Sequence, residues 1–110
     1  MAIIEATKEN FAAEVEQAAL PVLVEFWAPW CGYCRRLAPV LERLDAKRGQ
    51  NLVIAKVNVD EQPALETEKG LDANVIPTLY LFQNGRHGEK LVAPGSQAEL
   101  ENWLDAQLSV

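Results

Sequence analysis

Val22-Leu23-Val24-Glu25-Phe26-Trp27-Ala28 runs through Pro29 directly into Trp30-Cys31-Gly32-Tyr33-Cys34. The first stretch is apolar almost throughout, the pattern of a strand covered on both faces. The second holds both cysteines of the chain. Thiols at i and i+3 share one face of a helical turn, where they close into a disulfide or reopen with little backbone movement. A cysteine at a helix N-terminus also meets the positive end of the helix dipole, which favours thiolate over thiol. A C-x-x-C beside a strand–helix–strand pattern therefore predicts a redox pair. Cys31, nearer the expected helix start, is the candidate nucleophile, and Cys34 the thiol that resolves a mixed disulfide. Two blander readings stand beside this one. One is a static disulfide, which an intracellular setting disfavours. The other is a zinc site, but zinc wants four ligands, and His87 lies far off with no second cysteine pair.

Outward from the motif, the pattern alternates between strands and helices. Ile3-Ile4 is a short candidate strand, and Thr7 a candidate N-cap for a helix with Phe11, Val15, Ala18 and Ala19 on one face, broken by Pro21. After the cysteines, Leu37, Ala38, Leu41 and Leu44 recur at helical spacing up to Gly49, with Pro39 inside and a kink expected there. Leu52 to Val59 reads as a second buried strand. Asp60 is a candidate cap for a short helix over 61–69, closed by Gly70. Thr78 to Phe82 is a third strong strand, Asn84-Gly85 opens a hairpin, and 90–93 returns. Ser96 and Glu99 form a capping box for a last helix carrying Leu100, Trp103, Leu104 and Leu108. The order β-α-β-α-β-α-β-β-α implies an α/β fold, with parallel pairing between helix-linked strands and one antiparallel addition. A ligand is then expected at the C-terminal end of the second strand.

The chain has 110 residues, near the modal size of one domain, and no linker or repeat divides it, so 1–110 is expected to be one domain. At 49% apolar and 24% charged it needs no disulfide staples, which leaves the cysteines free for chemistry. A net charge of −6 argues against nucleic acid or an anionic membrane as the main partner. No apolar run approaches the roughly 20 residues that span a bilayer. Met1 to Lys8 lacks a basic segment followed by an apolar one, so the expectation is a cytoplasmic protein.

With these motifs in order, the chain resembles the thioredoxin family over essentially its full length. Phe26 to Cys34 is similar to that family's active-site stretch, Leu37-Ala38-Pro39 to its kinked helix, Lys56 to Asp60 to its third strand, Val75 to Leu79 to its cis-proline loop, and Phe82 to Gly85 to its hairpin. The resemblance implies a thioredoxin fold, a central mixed five-stranded sheet flanked by four helices. It implies reduction of disulfides in protein substrates, recharging by a thioredoxin reductase, and no bound cofactor or metal. A monomer is expected. Three positions depart from the family pattern. Tyr33 stands where most thioredoxins carry proline, Glu25 replaces a buried aspartate, and Ala93-Pro94-Gly95 replaces a valine-glycine pair.

Each candidate site residue has its own physical reading. Burial in the strand should raise the Glu25 pKa, and a carboxylate poised near neutrality can take a proton from Cys34. Lys56, on the neighbouring strand, would hold that shift down. By resemblance the Ile76-Pro77 bond is cis and faces the cysteines, exposing the Ile76 backbone for strand-like pairing with a substrate. Trp30 is expected as an exposed platform for substrate, with Gly32 and Tyr33 beside it, and Trp27 as packing beneath. Gly32-Tyr33 resembles the pair in some bacterial disulfide isomerases, and Arg35 and Arg36 add positive charge, so a couple less reducing than an ordinary thioredoxin is expected. The competing functions are a disulfide isomerase-like protein and a peptide-binding module in which reductase activity is secondary.

Overall fold

Alternation of side chains along a single strand, Val22–Trp27, decides how the layers assemble. The computed structural model describes residues 3–109; Met1 and Ala2, part of the stretch read for a leader, and Val110 lie outside the described residues. Val22, Val24 and Phe26 enter one apolar cluster, whereas Leu23 enters another on the opposite face. The strands are β1 (Ile4–Glu5), β2 (Val22–Trp27), β3 (Val53–Asn58), β4 (Thr78–Gln83), β5 (Arg86–His87) and β6 (Leu91–Val92). The α-helices are α1 (Gly32–Arg48), α2 (Leu65–Glu68) and α3 (Gln97–Leu108), and a π-helical segment spans Ala12–Glu16.

The sheet order is β1-β3-β2-β4-β5, with β6 also paired to β4. β1, β3 and β2 are parallel, and β4 is antiparallel to β2. β5 pairs with Phe82 and Gln83, β6 with Thr78 and Leu79, along the edge of β4 that β2 leaves free. The two are thus one return strand, interrupted at 88–90, and the sheet has five strand positions as expected from the resemblance.

Leu37, Leu41 and Leu44 of α1 and Leu100 and Leu104 of α3 pack on Leu23, Ile54, Leu79 and Leu81. Truncating a fully buried leucine of this kind to alanine costs roughly 2–5 kcal/mol. The opposite face is covered by Phe11, Val15, Leu65 and Leu71. Arg48 and Lys47 bond Glu101, and Arg48 also bonds Asp105, which ties α1 to α3 at the surface.

Four local expectations are corrected. The first strand is Ile4–Glu5 rather than Ile3-Ile4. The first helix is π-type, with the Gln17 N–H donating to the Ala12 carbonyl, and Thr7 caps only the turn before it. The helix expected over 61–69 is confined to Leu65–Glu68. Asn58, not Asp60, caps the preceding turn, its Oδ1 accepting from the Asp60 and Glu61 amides at 2.9 and 3.4 Å. The return strand pairs only at Leu91–Val92 and, earlier, at Arg86–His87. By contrast, α1 runs continuously through Pro39 to Arg48 and stops at Gly49, and Gly70 ends its helix at φ +68°. The Ser96 hydroxyl caps α3 by accepting from the Glu99 amide at 3.0 Å, while Glu99 accepts from Gly95.

Candidate active site

β2 ends at Trp27, and the chain turns through 28–31 into α1, so the cysteines sit at the C-terminal end of the second strand. Cys31 is the N-cap of α1, in an extended conformation, and its sulfur accepts from the Cys34 amide at 3.1 Å. The two cysteines form a disulfide with Cα atoms 5.2 Å apart. Both are nearly buried, Cys31 at 7% exposure and Cys34 at 3%, so the sulfur closer to the helix start is also the one nearer solvent. Beneath them lie Ala28 and the partly buried Trp27, Tyr33, Val59 and Ile76.

Positive charge gathers at the helix start. A Cβ on Gly32 would lie 3.8 Å from a guanidinium nitrogen of Arg35 and equally far from one of Arg36. Arg35 also donates to the Pro29 carbonyl at 3.0 Å, which braces the turn before the motif. Opposite stands the Ile76-Pro77 peptide, which is cis, with the Ile76 carbonyl oxygen 3.9 Å from the Cys31 sulfur. Trp30 and Val75 are the most exposed large apolar side chains among the described residues. The Trp30 indole N–H donates to Asp60 at 2.9 Å, fixing the ring on the rim.

Glu25 shares the face of β2 that α1 and α3 cover, and it has no exposed surface. Its register partner on β3 is Lys56, whose Nζ is 3.9 Å from Glu25 Oε1, too far for a hydrogen bond. Burial pushes the Glu25 carboxyl up from 4.5 to about 7, with the Lys56 charge acting in the opposite sense. Lys56 also lies over the Trp27 ring, 4.2 Å from its centroid. Lys56 lines an open groove of about 600 Å³ together with Ala38, Leu41 and Glu42 among others.

The structure thus gathers Cys31, Cys34, Gly32, Tyr33, Trp30, Ile76 and Pro77 around one rim, with the Glu25–Lys56 pair in the sheet below. His87 stands apart, its ring packed on Tyr80 and Phe82 at centroid distances of 5.0 and 5.2 Å. Among the described residues, no group of three or more His, Cys, Asp or Glu side chains is placed to hold a metal ion. Three contacts escaped sequence reasoning. The roles of Asn58 and Asp60 were signalled only by two short polar residues at the end of a strand and just past it. The Tyr33 hydroxyl bonds carbonyls of the 93–94 segment, sixty residues away, with no local signal at all.

Comparison with known proteins agrees with this geometry. The sequence model of the family described as Thioredoxin matches residues 2–106. Thioredoxin 1 of Synechococcus elongatus is 38% identical over 102 residues, covering 93% of this chain and 94% of that protein. The thioredoxin of Porphyra purpurea is 34% identical over 109 residues, 99% of this chain and all of that protein (100%). The thioredoxin of Mycobacterium tuberculosis is 41% identical over 99 residues, 90% of this chain and 84% of that protein. A cysteine pair at disulfide distance on a helix start, in a fold matched along nearly its whole length, leaves one conclusion: the chain belongs to the thioredoxin family and is a thiol–disulfide oxidoreductase.

Proposed function

We propose that this single-domain protein reduces disulfides in protein substrates through an asymmetric cycle in which Cys31 attacks and Cys34 resolves. The observation that carries the reading is the Cys34 amide donating to the Cys31 sulfur at the N-cap of α1. That donor, the helix start and two nearby guanidinium groups all favour negative charge on Cys31. In the reduced protein, the Cys31 thiolate attacks one substrate sulfur, forming a mixed disulfide and releasing the other sulfur as thiolate. Cys34 gives its proton to the Glu25 carboxylate and attacks the Cys31 sulfur, which expels the second substrate thiolate. The substrate gains two electrons and the protein returns to the Cys31–Cys34 disulfide.

The other residues have supporting roles in this reading. Trp30, Gly32 and Ile76-Pro77 form the surface on which an extended substrate segment lies, with Tyr33 beside it and the Ile76 backbone pairing to the segment. Lys56 restrains the rise of the Glu25 pKa and opens a route for its proton to the groove. Thioredoxins in general are recharged by a thioredoxin reductase, and the same donor is proposed here. The protein acts as a cytoplasmic monomer; among the described residues no helix is long and apolar enough to cross a membrane. The positive charge at the helix start supports a couple less reducing than an ordinary thioredoxin. About 30 mV corresponds to roughly 1.4 kcal/mol of thiolate stabilisation, so equilibration with a glutathione buffer resolves it.

The test is reduction of insulin with dithiothreitol as electron source. The unaltered protein accelerates it, Cys31→Ser abolishes the acceleration, and Cys34→Ser accumulates substrates linked to Cys31. A Cys31→Ser protein with full activity refutes the reading.

A further inference from the structure

Two of the three departures from the family pattern touch each other. The Tyr33 hydroxyl lies 2.9 Å from the Ala93 carbonyl oxygen and 3.0 Å from that of Pro94. A phenol has one proton to donate, so the two carbonyls share it. Ala93 is held at φ +46°, a left-handed conformation that a residue with a Cβ adopts only when its surroundings enforce it. Its own N–H donates to the Pro77 carbonyl at 2.9 Å. The chain of contacts therefore runs from the residue between the cysteines, through Ala93, to the proline that faces them. On the other side, the Arg36 guanidinium covers the Tyr33 ring, 5.0 Å from its centroid, and fixes where the hydroxyl points.

We infer that Tyr33 is a positioning residue, whose hydroxyl holds the 93–94 segment and, through it, the Ile76-Pro77 ledge in place for an extended polypeptide carrying the disulfide. The inference rests on the reading of that ledge as the substrate-pairing surface. It names the substrate class that Tyr33 serves, since a small disulfide reaches the Cys31 sulfur without pairing to the ledge. Thr78 braces the same loop from within by donating its hydroxyl to the Val75 carbonyl, so loss of the Tyr33 tie loosens the ledge without dismantling it.

Tyr33→Phe removes the hydroxyl and keeps the ring under Arg36. Steady-state rates are measured with insulin and with hydroxyethyl disulfide, and amide hydrogen exchange is followed at Ala93. One neutral hydrogen bond lost predicts an insulin KM raised about three- to ten-fold and Ala93 exchange about five-fold faster. The insulin kcat and the hydroxyethyl disulfide rate stay within about two-fold of the parent, because the sulfur chemistry is untouched. An unaltered insulin KM, insulin and small-disulfide rates falling together, or unchanged Ala93 exchange overturns the inference. Failure of the underlying redox reading is seen separately, as absence of insulin reduction by the unaltered protein.

Discussion

Replacing Glu25 by glutamine isolates the most unusual electrostatic feature of the chain. The carboxyl is fully buried, no hydrogen bond to either oxygen is found among the described residues, and Lys56 stands 3.9 Å away. Burial lifts its pKa from 4.5 to about 7. At about 1.36 kcal/mol per pH unit, that rise corresponds to about 3 kcal/mol of free energy between the two protonation states. Below pH 4.5 folded and unfolded chains both hold the proton, and the group has no effect on the pH dependence. Between 4.5 and about 7 the unfolded chain has lost the proton while the folded chain retains it. Stability therefore falls as pH rises through this window, and it levels off once the folded carboxyl ionises.

Glutamine has the same reach and no titration, so Glu25→Gln removes the fall. It adds a constant penalty of about 1–3 kcal/mol for a buried amide with incomplete hydrogen bonding. The assay is urea denaturation of both oxidised proteins from about pH 4 to about pH 8.5. Relative to the parent, the variant should gain about 3 kcal/mol between the two ends, most of it through the window just described. A difference that is flat with pH refutes the argument that burial controls this carboxyl. The same substitution has a kinetic consequence. Without a proton acceptor the resolving step slows and product release with it, while the first attack by Cys31 is spared. Turnover that is unchanged by the substitution from about pH 6 to about pH 9 refutes the general-base role.

Two further outcomes concern the scaffold. Gly85 sits at φ +77°, and a Cβ there would lie 3.0 Å from the backbone oxygen of Glu16, so Gly85→Ala should lower the thermal midpoint, with a cost of about 1–3 kcal/mol; an unchanged midpoint refutes it. Bonds from Lys47, Gln97 and Arg48 hold the Glu101 carboxyl at about 2, so its stabilisation is present above 4.5 and lost as pH falls through about 2. Glu101→Gln should then cost about 1 kcal/mol or less at neutral pH, given the exposure of Lys47, and close to nothing near pH 2; equal penalties in urea denaturation at both pH values contradict the ion-pair account.

How much of this was legible from sequence depends on whether the deciding interactions are local. The buried strand ending at the cysteines was readable because burial on both faces writes an unbroken apolar run. The Glu25–Lys56 pairing followed from the register of two parallel strands. The π-helical segment was not readable, because Phe11 and Val15 keep the same spacing whether the amide bonds reach back four residues or five. The helix over 61–69 was overextended because its pattern gives no hint that the Asn58 side chain captures two amides and holds the chain in turns. The return strand was expected only at 90–93, yet pairing also forms at Arg86–His87, where the His87 ring packs on Tyr80 and Phe82. Tyr33 presented itself as a question about redox potential. Its hydrogen bonds to Ala93 and Pro94 depend on the closure of the whole sheet, and no window of sequence contains both ends.

In the proposed cycle the two sulfurs of the motif are governed by different physics, and this difference would give the site its direction. The Cys31 thiolate of that cycle is favoured by fixed features: the Cys34 amide, the first turn of α1 and nearby guanidinium groups. Cys34 lies deeper, and the acceptor proposed for its proton is Glu25, whose carboxyl burial raises to about 7. Glu25 has no exposed surface, so in the proposed cycle its proton leaves by another way, and Lys56 lines the open groove beside α1. The buried, under-bonded carboxyl that weakens the fold above neutrality is, in the proposed cycle, also the proton acceptor of the resolving step. A fully paired glutamate would ease the first effect only by weakening the second.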